Sequence, residues 1–156
     1  MRMSGASMRC FESKAEKAND KERMSNPERH APGTRMCAGC GGTIAVRAVL
    51  RALHEGDQAV IGNATGCLEV SSFMYPYTSW EDSYIHNAFE NAGATLSGVE
   101  TAYRARRKRG RLPLDQTCKF ITSGGDGGTY GTGYQSISGP LARGTRLDLL
   151  FIVNGR

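Results

Sequence analysis

The 156-residue chain has one tryptophan and five prolines, and nowhere does it hold the ~20 consecutive apolar residues that a bilayer-spanning helix needs. Its start, Met1 to Glu12, lacks an apolar run of signal-peptide type, so nothing there predicts secretion. Cysteine is scarce and odd in number, with Cys10, Cys37, Cys40, Cys67 and Cys118. An odd count without a signal peptide speaks against a disulfide framework and for a reduced, cytoplasmic compartment. No HExxH and no Ser/His/Asp arrangement stands out among the three histidines. The two signs of charge nearly balance once one basic run is set aside. Arg104, Arg106, Arg107, Lys108, Arg109 and Arg111 supply six of the 20 basic residues, and taking them from the net +5 leaves −1. No aromatic residue interleaves with that run, which argues against a single-strand nucleic-acid surface. A solvated helix end facing the negative pole of the helix dipole is the simpler reading.

What is present reads as a layered α/β domain. Residues 1–28 hold a single aromatic, Phe11, and no apolar period, which predicts a mobile tail ahead of an ordered unit at 29–156. Ile44, Ala48, Val49, Ala52 and Leu53 recur at helical spacing, with Thr43 as the expected N-cap and Gly56 as the stop. Ala59-Val60-Ile61 predicts a buried strand. Phe89, Ala92, Leu96, Val99 and Tyr103 predict one helix from about Tyr84 to Tyr103. Lys119–Thr122 predicts a strand that runs into Gly124-Gly125-Asp126-Gly127-Gly128, followed by a helix over Thr132–Leu141. Leu147–Val153 is a near-continuous apolar run of the fully buried, parallel type. Helices alternating with strands in this order predict a mainly parallel sheet flanked by helices.

Eight of the 20 glycines fall between Gly124 and Gly144. A strand, then glycines, then a helix start is how α/β proteins cradle phosphate with backbone N–H groups. No Gly-Lys-Ser/Thr follows, so this is not a P-loop, and Tyr130 stands where the dinucleotide fingerprint wants Gly or Ala. Asp126 at the centre would repel a phosphate unless a cation lay between, which calls for Mg²⁺. Asn154 follows the next strand, at the same carboxyl edge, and offers a neutral oxygen to such a cation. Cys37-Ala-Gly-Cys40 alone leaves zinc, redox and iron–sulfur roles open. Cys67 adds a third thiol, one short of the usual four. His86 and Glu90 sit one turn apart on the expected helix and read as a surface pair; His30 and His54 read as solvated; Cys118 reads as a small core residue.

Five stretches, in order, resemble one known family. They are HAPGTRMCAGCG (30–41), NATGCLEV (63–70), YPYTSW (75–80), IHNAFENAGATLSGVETAY (85–103) and GGDGGTYGTGYQSISG (124–139). Together they resemble the β subunit of pyruvate (2-oxoacid):ferredoxin oxidoreductase, the subunit that binds thiamine diphosphate. The resemblance implies a partial thiamine-diphosphate-binding fold, oxidative decarboxylation of a 2-oxoacid to acyl-CoA, and electrons leaving through an iron–sulfur cluster to ferredoxin. It implies Asp126, Asn154 and the Arg156 carbonyl as Mg²⁺ ligands. Gly125, Gly127 and Gly128 would lie against the diphosphate. Thr65, Gly66, Cys67 and Leu68, with Phe89, Glu90 and Asn91, would line the cofactor. Cys37, Cys40 and Cys67 would be three of the four thiolates of a 4Fe–4S cluster. The implied partners are an α subunit, ferredoxin-type subunits, ferredoxin, the 2-oxoacid and coenzyme A, with no membrane and no nucleic acid.

The sequence departs from the family's pattern in places. Gly131-Thr132 stand where the family commonly has Asp-Ile, and Val153 stands for a common Asp. The family's Asn-Thr-Gly stretch and fourth cluster cysteine are not in this sequence, so the chain reads as C-terminally truncated. The glutamate that activates thiamine belongs to the family's α subunit, so no catalytic residue is expected here. A non-catalytic remnant is the alternative, and a small zinc- or nucleic-acid-binding module a further one.

Overall fold

The computed structural model describes residues 25–74 and 76–153. A four-stranded parallel sheet forms its centre, in the spatial order β4 (Ser83–Asn87), β1 (Gln58–Ala64), β5 (Cys118–Gly124) and β6 (Asp148–Phe151). Helix α1 (Gly41–Arg51) leads into β1 (Gln58–Ala64), then the short α2 (Cys67–Ser72). The two-residue strands β2 (Phe73–Met74) and β3 (Tyr77–Thr78) make a small antiparallel pair before β4 (Ser83–Asn87). The long α3 (Ala92–Lys108) crosses to β5 (Cys118–Gly124), and α4 (Asp126–Thr129) and α5 (Tyr134–Ala142) precede β6 (Asp148–Phe151). The mainly parallel α/β architecture is therefore as the sequence predicts. The expected disordered tail falls largely on residues 1–24, outside the described residues, as do Cys10, Asn154 and Arg156.

Alternation along the strands splits the core into two halves. On one face, Ile61 and Ile121 pair in register and pack with Val46 and Leu50 of α1, all nearly fully buried. On the other, Gly62 pairs with Thr122 beneath α3. A Cβ on Gly62 would lie 2.7 Å from Leu96 Cγ, so this glycine is what lets the helix seat Leu96, which is 0% exposed. Gly93 does the same where α3 meets α5, with Ile137 Cγ1 and the Ser136 carbonyl 3.0 Å from its would-be Cβ.

Several local expectations change. The helix predicted from Tyr84 is a strand, then a turn, then a helix that begins only at Ala92. Tyr84 and Ile85 pair with Ile61 and Gly62 of β1, and that long-range ladder outweighs the helical spacing. The cap of α1 is Cys40 rather than Thr43. Helix α1 ends at Arg51, and Gly56 turns the chain at φ 88° a few residues later. The run 147–153 forms strand only over Asp148–Phe151, paired on one side with β5, and its residues are half-buried or exposed rather than fully buried. Its outer neighbour is missing among the described residues. Of the stretch read as a tail, residues 25–28 grip α1: Asn26 Nδ2 donates to the Arg51 carbonyl at 2.7 Å, and Glu28 pairs with Arg47 and Arg51. Burial works against the charge on Glu28, yet the Arg47 hydrogen bond and the two guanidinium charges hold its carboxyl below the usual range. His30 is 3% exposed rather than solvated, edge-on to Trp80, while His54 is exposed.

Candidate functional site

The chain leaves β1 toward β4 on one side and leaves β5 toward β6 on the other. The carboxyl ends of β1 and β5 thus flank the point where connections diverge, the place where open α/β sheets bind ligands. Three of the stretches picked out from the sequence meet there. Gly124 and Gly128 lie against Ala64, with would-be Cβ atoms 3.5 and 3.0 Å from its Cβ. Gly128 also lies against the Phe89 carbonyl, 2.8 Å from its would-be Cβ. Thr65 Oγ1 donates to the Asn87 carbonyl at 2.9 Å, tying the turn after β1 to the end of β4. Glu90 and Asn91 stand in the turn after Phe89, with Asn91 as the cap of α3.

The glycines of this edge have different physical reasons. Gly124 and Gly128 are required by protein neighbours, and Gly133 more so, because its Cβ would fall on the Gly128 carbonyl. Gly127 is not: its would-be Cβ meets nothing within 4 Å, and its φ lies outside the left-handed region. Gly125 is nearly as open, with only the Ile152 carbonyl at 3.9 Å. Among the described residues no neighbour demands glycine at 127, so the open face there suits a ligand that must come close to backbone. Asp126, beside it, is exposed and begins α4, where its carboxylate is free to meet a cation. The residues present therefore fit a diphosphate with a divalent cation.

The thiols gather less tightly. Cys40 caps α1, and the Cys37 carbonyl accepts from its N–H at 3.0 Å, closing the loop into a turn. Gly42 has would-be Cβ contacts to Cys40 Sγ and to Ile152 beside Gly125, which brings this loop to the same sheet edge. Cys67 opens α2, and the loop reaches that helix through an Arg35 N–H bond to the Ser71 carbonyl at 3.0 Å. All three thiols are free, with Cys37 and Cys67 exposed. Among the described residues no three His, Cys, Asp or Glu side chains form a metal-holding group. As they stand, the thiols do not make a closed cluster site. Cys118 is half-buried, and burial followed by the charges of Asp57 and Asp82 pushes its thiol pKa up.

Sequence reasoning missed one feature of this region. His86 is on β4, not one helical turn from Glu90, and its Nδ1 lies 2.5 Å from Oε1 of Glu69 on α2. That carboxylate is 1% exposed. Tyr84 shares the pocket: burial first, then the Glu69 charge, push its phenol up to about 12 against the pull of Asn63 and Ser72. Separately, a cavity of about 320 Å³ opens at the opposite, amino edge of the sheet, between Tyr103, Arg104 and Arg107 of α3 and Arg146 before β6. It shares no residue with the carboxyl-edge site. The basic run continues from it along the exposed end of α3.

Comparison with known proteins gives several relatives. The chain is 56% identical over 116 residues to pyruvate synthase subunit PorB of Thermotoga maritima, covering 74% of this chain and 36% of that protein. It is 50% identical over 127 residues to pyruvate synthase subunit PorB of Methanocaldococcus jannaschii, covering 81% of this chain and 41% of that protein. It is 32% identical over 128 residues to ketoisovalerate oxidoreductase subunit VorB of Pyrococcus furiosus, covering 81% and 40%. The chain thus spans well under half the length of these relatives. No family model matches it.

Proposed function

Because the chain belongs to the family of pyruvate synthase β subunits, we propose that residues 29–156 are the N-terminal part of a thiamine-diphosphate-binding domain acting in a 2-oxoacid:ferredoxin oxidoreductase, with pyruvate as the 2-oxoacid. The observation that carries this reading is the open face of Gly127 beside the exposed Asp126, at the point where the turns after β1, β4 and β5 meet. Bound there, thiamine diphosphate would supply the carbanion that attacks the 2-oxo carbon and accepts the electrons left after CO₂ loss.

This chain's own part is binding and positioning. Backbone N–H groups at Gly125, Gly127 and Gly128 approach the diphosphate, and Asp126 holds Mg²⁺ against it. Asn154 and the Arg156 carbonyl, outside the described residues, complete the chain's ligands to that cation. Thr65, Gly66, Cys67 and Leu68 form one wall of the cofactor site, and Phe89, Glu90 and Asn91 the other. Cys37, Cys40 and Cys67 are the thiols this chain offers toward a 4Fe–4S cluster. Such a cluster needs a further ligand and a tighter convergence than the described residues have. The activating glutamate belongs to the proposed α subunit, and the further proposed partners are ferredoxin-type subunits, ferredoxin, the 2-oxoacid and coenzyme A. The odd thiol count fits a reducing compartment, the cytoplasm, and no helix among the described residues is long and apolar enough to cross a membrane.

Isothermal calorimetry of the chain with thiamine diphosphate tests the reading. Binding that appears only with Mg²⁺ and disappears in Asp126→Ala supports it. Binding that is absent with Mg²⁺, or indifferent to Asp126, overturns it.

A further inference from the structure

Helix α2 has only six residues, yet three of them are deeply buried: Leu68, Glu69 and Ser72. Cys67 and Val70 face outward. Leu68 joins the apolar core, and Ser72 Oγ accepts from Trp80 Nε1 at 2.9 Å. Glu69 is the odd member. Its carboxylate is 1% exposed, Oε1 lies 2.5 Å from His86 Nδ1 as an ion-pair contact, and neither oxygen makes a hydrogen bond among the described residues. His86 is itself half-exposed and stacks on Phe73, with ring centroids 5.0 Å apart. The next residue of β4, Asn87, accepts from Thr65 Oγ1. Consecutive residues of one strand therefore grip both ends of Thr65–Glu69, and Gly66, Cys67 and Leu68 span the gap.

Stability alone does not call for this arrangement. A well-packed apolar side chain of similar size is often as good as a buried ion pair or better. What the pair adds is direction. A carboxylate facing one imidazole has one favourable orientation, whereas a leucine among apolar atoms has several. In a six-residue helix, rotation is set by few contacts, and a slip of one residue would turn Cys67 from solvent toward the core.

We propose that Glu69, acting through His86, is a positioning residue that fixes the rotation of α2 and so the facing of the Thr65–Leu68 wall. The inference rests on the reading of that wall as part of the thiamine diphosphate site. The test uses the full chain with Glu69→Leu, Glu69→Gln and His86→Phe. Three quantities are measured: the thermal midpoint, the iodoacetamide alkylation rate of each cysteine resolved by peptide mass spectrometry, and Mg²⁺-dependent thiamine diphosphate affinity. In Glu69→Leu the midpoint stays within about 2 °C. Cys67 alkylation changes roughly fivefold, while Cys37 and Cys40 keep their rates. Cofactor affinity falls roughly tenfold, as expected when a wall is misplaced by about an ångström. Glu69→Gln, which keeps shape and a hydrogen-bonding group, recovers part of both effects, and His86→Phe reproduces them. Unchanged Cys67 alkylation in both Glu69→Leu and His86→Phe overturns the proposal. So does a fall in midpoint with all cysteines equally reactive in both variants, because the pair is then a stability element only. If the unaltered chain binds no thiamine diphosphate, the functional reading fails by itself, and Cys67 alkylation still decides the positioning role.

Discussion

Gly127→Ala separates a glycine kept for a ligand from one kept for the fold. Among the described residues outside its own turn the added methyl meets no atom within 4 Å, and the backbone there is not left-handed. Replacing a helical glycine with alanine at an unstrained position is worth ~0.5–1 kcal/mol of added stability. For a domain of this size the thermal midpoint should therefore hold or rise by about 2–4 °C. Binding should move the other way. On the proposed placement the methyl would occupy the face the diphosphate oxygens approach, and a loss of at least tenfold in affinity, about 1.4 kcal/mol, is expected. Gly133→Ala is the opposite control. Its Cβ would fall on the Gly128 carbonyl, so α4 and α5 must part, at a cost of ~1–3 kcal/mol or more. Differential scanning fluorimetry gives the midpoints, and calorimetry with thiamine diphosphate and Mg²⁺ gives the affinities. A Gly127→Ala chain that binds as tightly as the unaltered one would refute the placement of the diphosphate, whatever its stability.

Asp126→Asn should leave the fold intact, because the side chain is exposed. It should weaken Mg²⁺-dependent cofactor binding by roughly tenfold or more through the lost charge, which a Mg²⁺ titration at fixed cofactor would read. Leu96→Ala should cost ~2–5 kcal/mol, since Leu96 is 0% exposed and fills the space over Gly62; urea denaturation followed by Trp80 fluorescence measures it. Acid should destabilise the chain in two stages. Burial first pushes His30 below its ordinary 6.5, with the Glu28 charge resisting and the Arg47 charge adding to it. The unfolded chain then binds a proton that the folded one refuses, so stability is lost as pH falls below about 6.5. Glu28, held below its ordinary 4.5, adds a loss at lower pH, because its carboxylate keeps its arginines only while ionised. Melting midpoints from pH 8 to 4 should show the first step flattened in His30→Phe. An unchanged slope between pH 7 and 5.5 in that variant would rule His30 out as its source.

The parts of the fold legible in the sequence are those stabilised by local pattern. Strand β5 shows in Lys119–Thr122, where the apolar run and burial coincide, and α1 shows as a helix in the spacing of Ile44, Ala48 and Val49, although its buried face is Gly42, Val46 and Leu50 while Ile44 and Ala48 are exposed. Strand β4 was illegible for a definite reason. Ser83–Asn87 joins without Gly or Pro to a true helical period, and nothing local marks the change at Ala92. Its strand character comes from pairing Val60–Ala64 with Ser83–Asn87, more than twenty residues apart in sequence. Strand β6 reads as a central strand because Leu149, Leu150 and Phe151 are apolar, but periodicity cannot tell an interior strand from one whose neighbour lies elsewhere.

The site divides along the same line. The Gly-rich turn was legible because a strand, glycines and a carboxylate in fixed order define a chemistry by themselves. Which of those glycines its protein neighbours leave open was not legible, since Gly127 and Gly128 are adjacent and identical as letters. Only the contacts separate them: Gly128 closes on Phe89 and Ala64, and Gly127 opens onto free space. Glu69 poses the harder case. In Leu68-Glu69-Val70 nothing local marks it for burial, yet it is the most buried carboxylate among the described residues. Its partner is seventeen residues away, on a strand that the pattern assigned to a helix, so missing β4 also meant missing the pair. A carboxylate buried beside Leu68 is costly unless something at a distance answers it. The distant partner here stands next to Asn87, the residue that anchors Thr65. The strand hidden from sequence reasoning is thus the one that holds the Thr65–Leu68 segment, the proposed cofactor wall, and altering Glu69 or His86 should disturb that segment before it disturbs the fold.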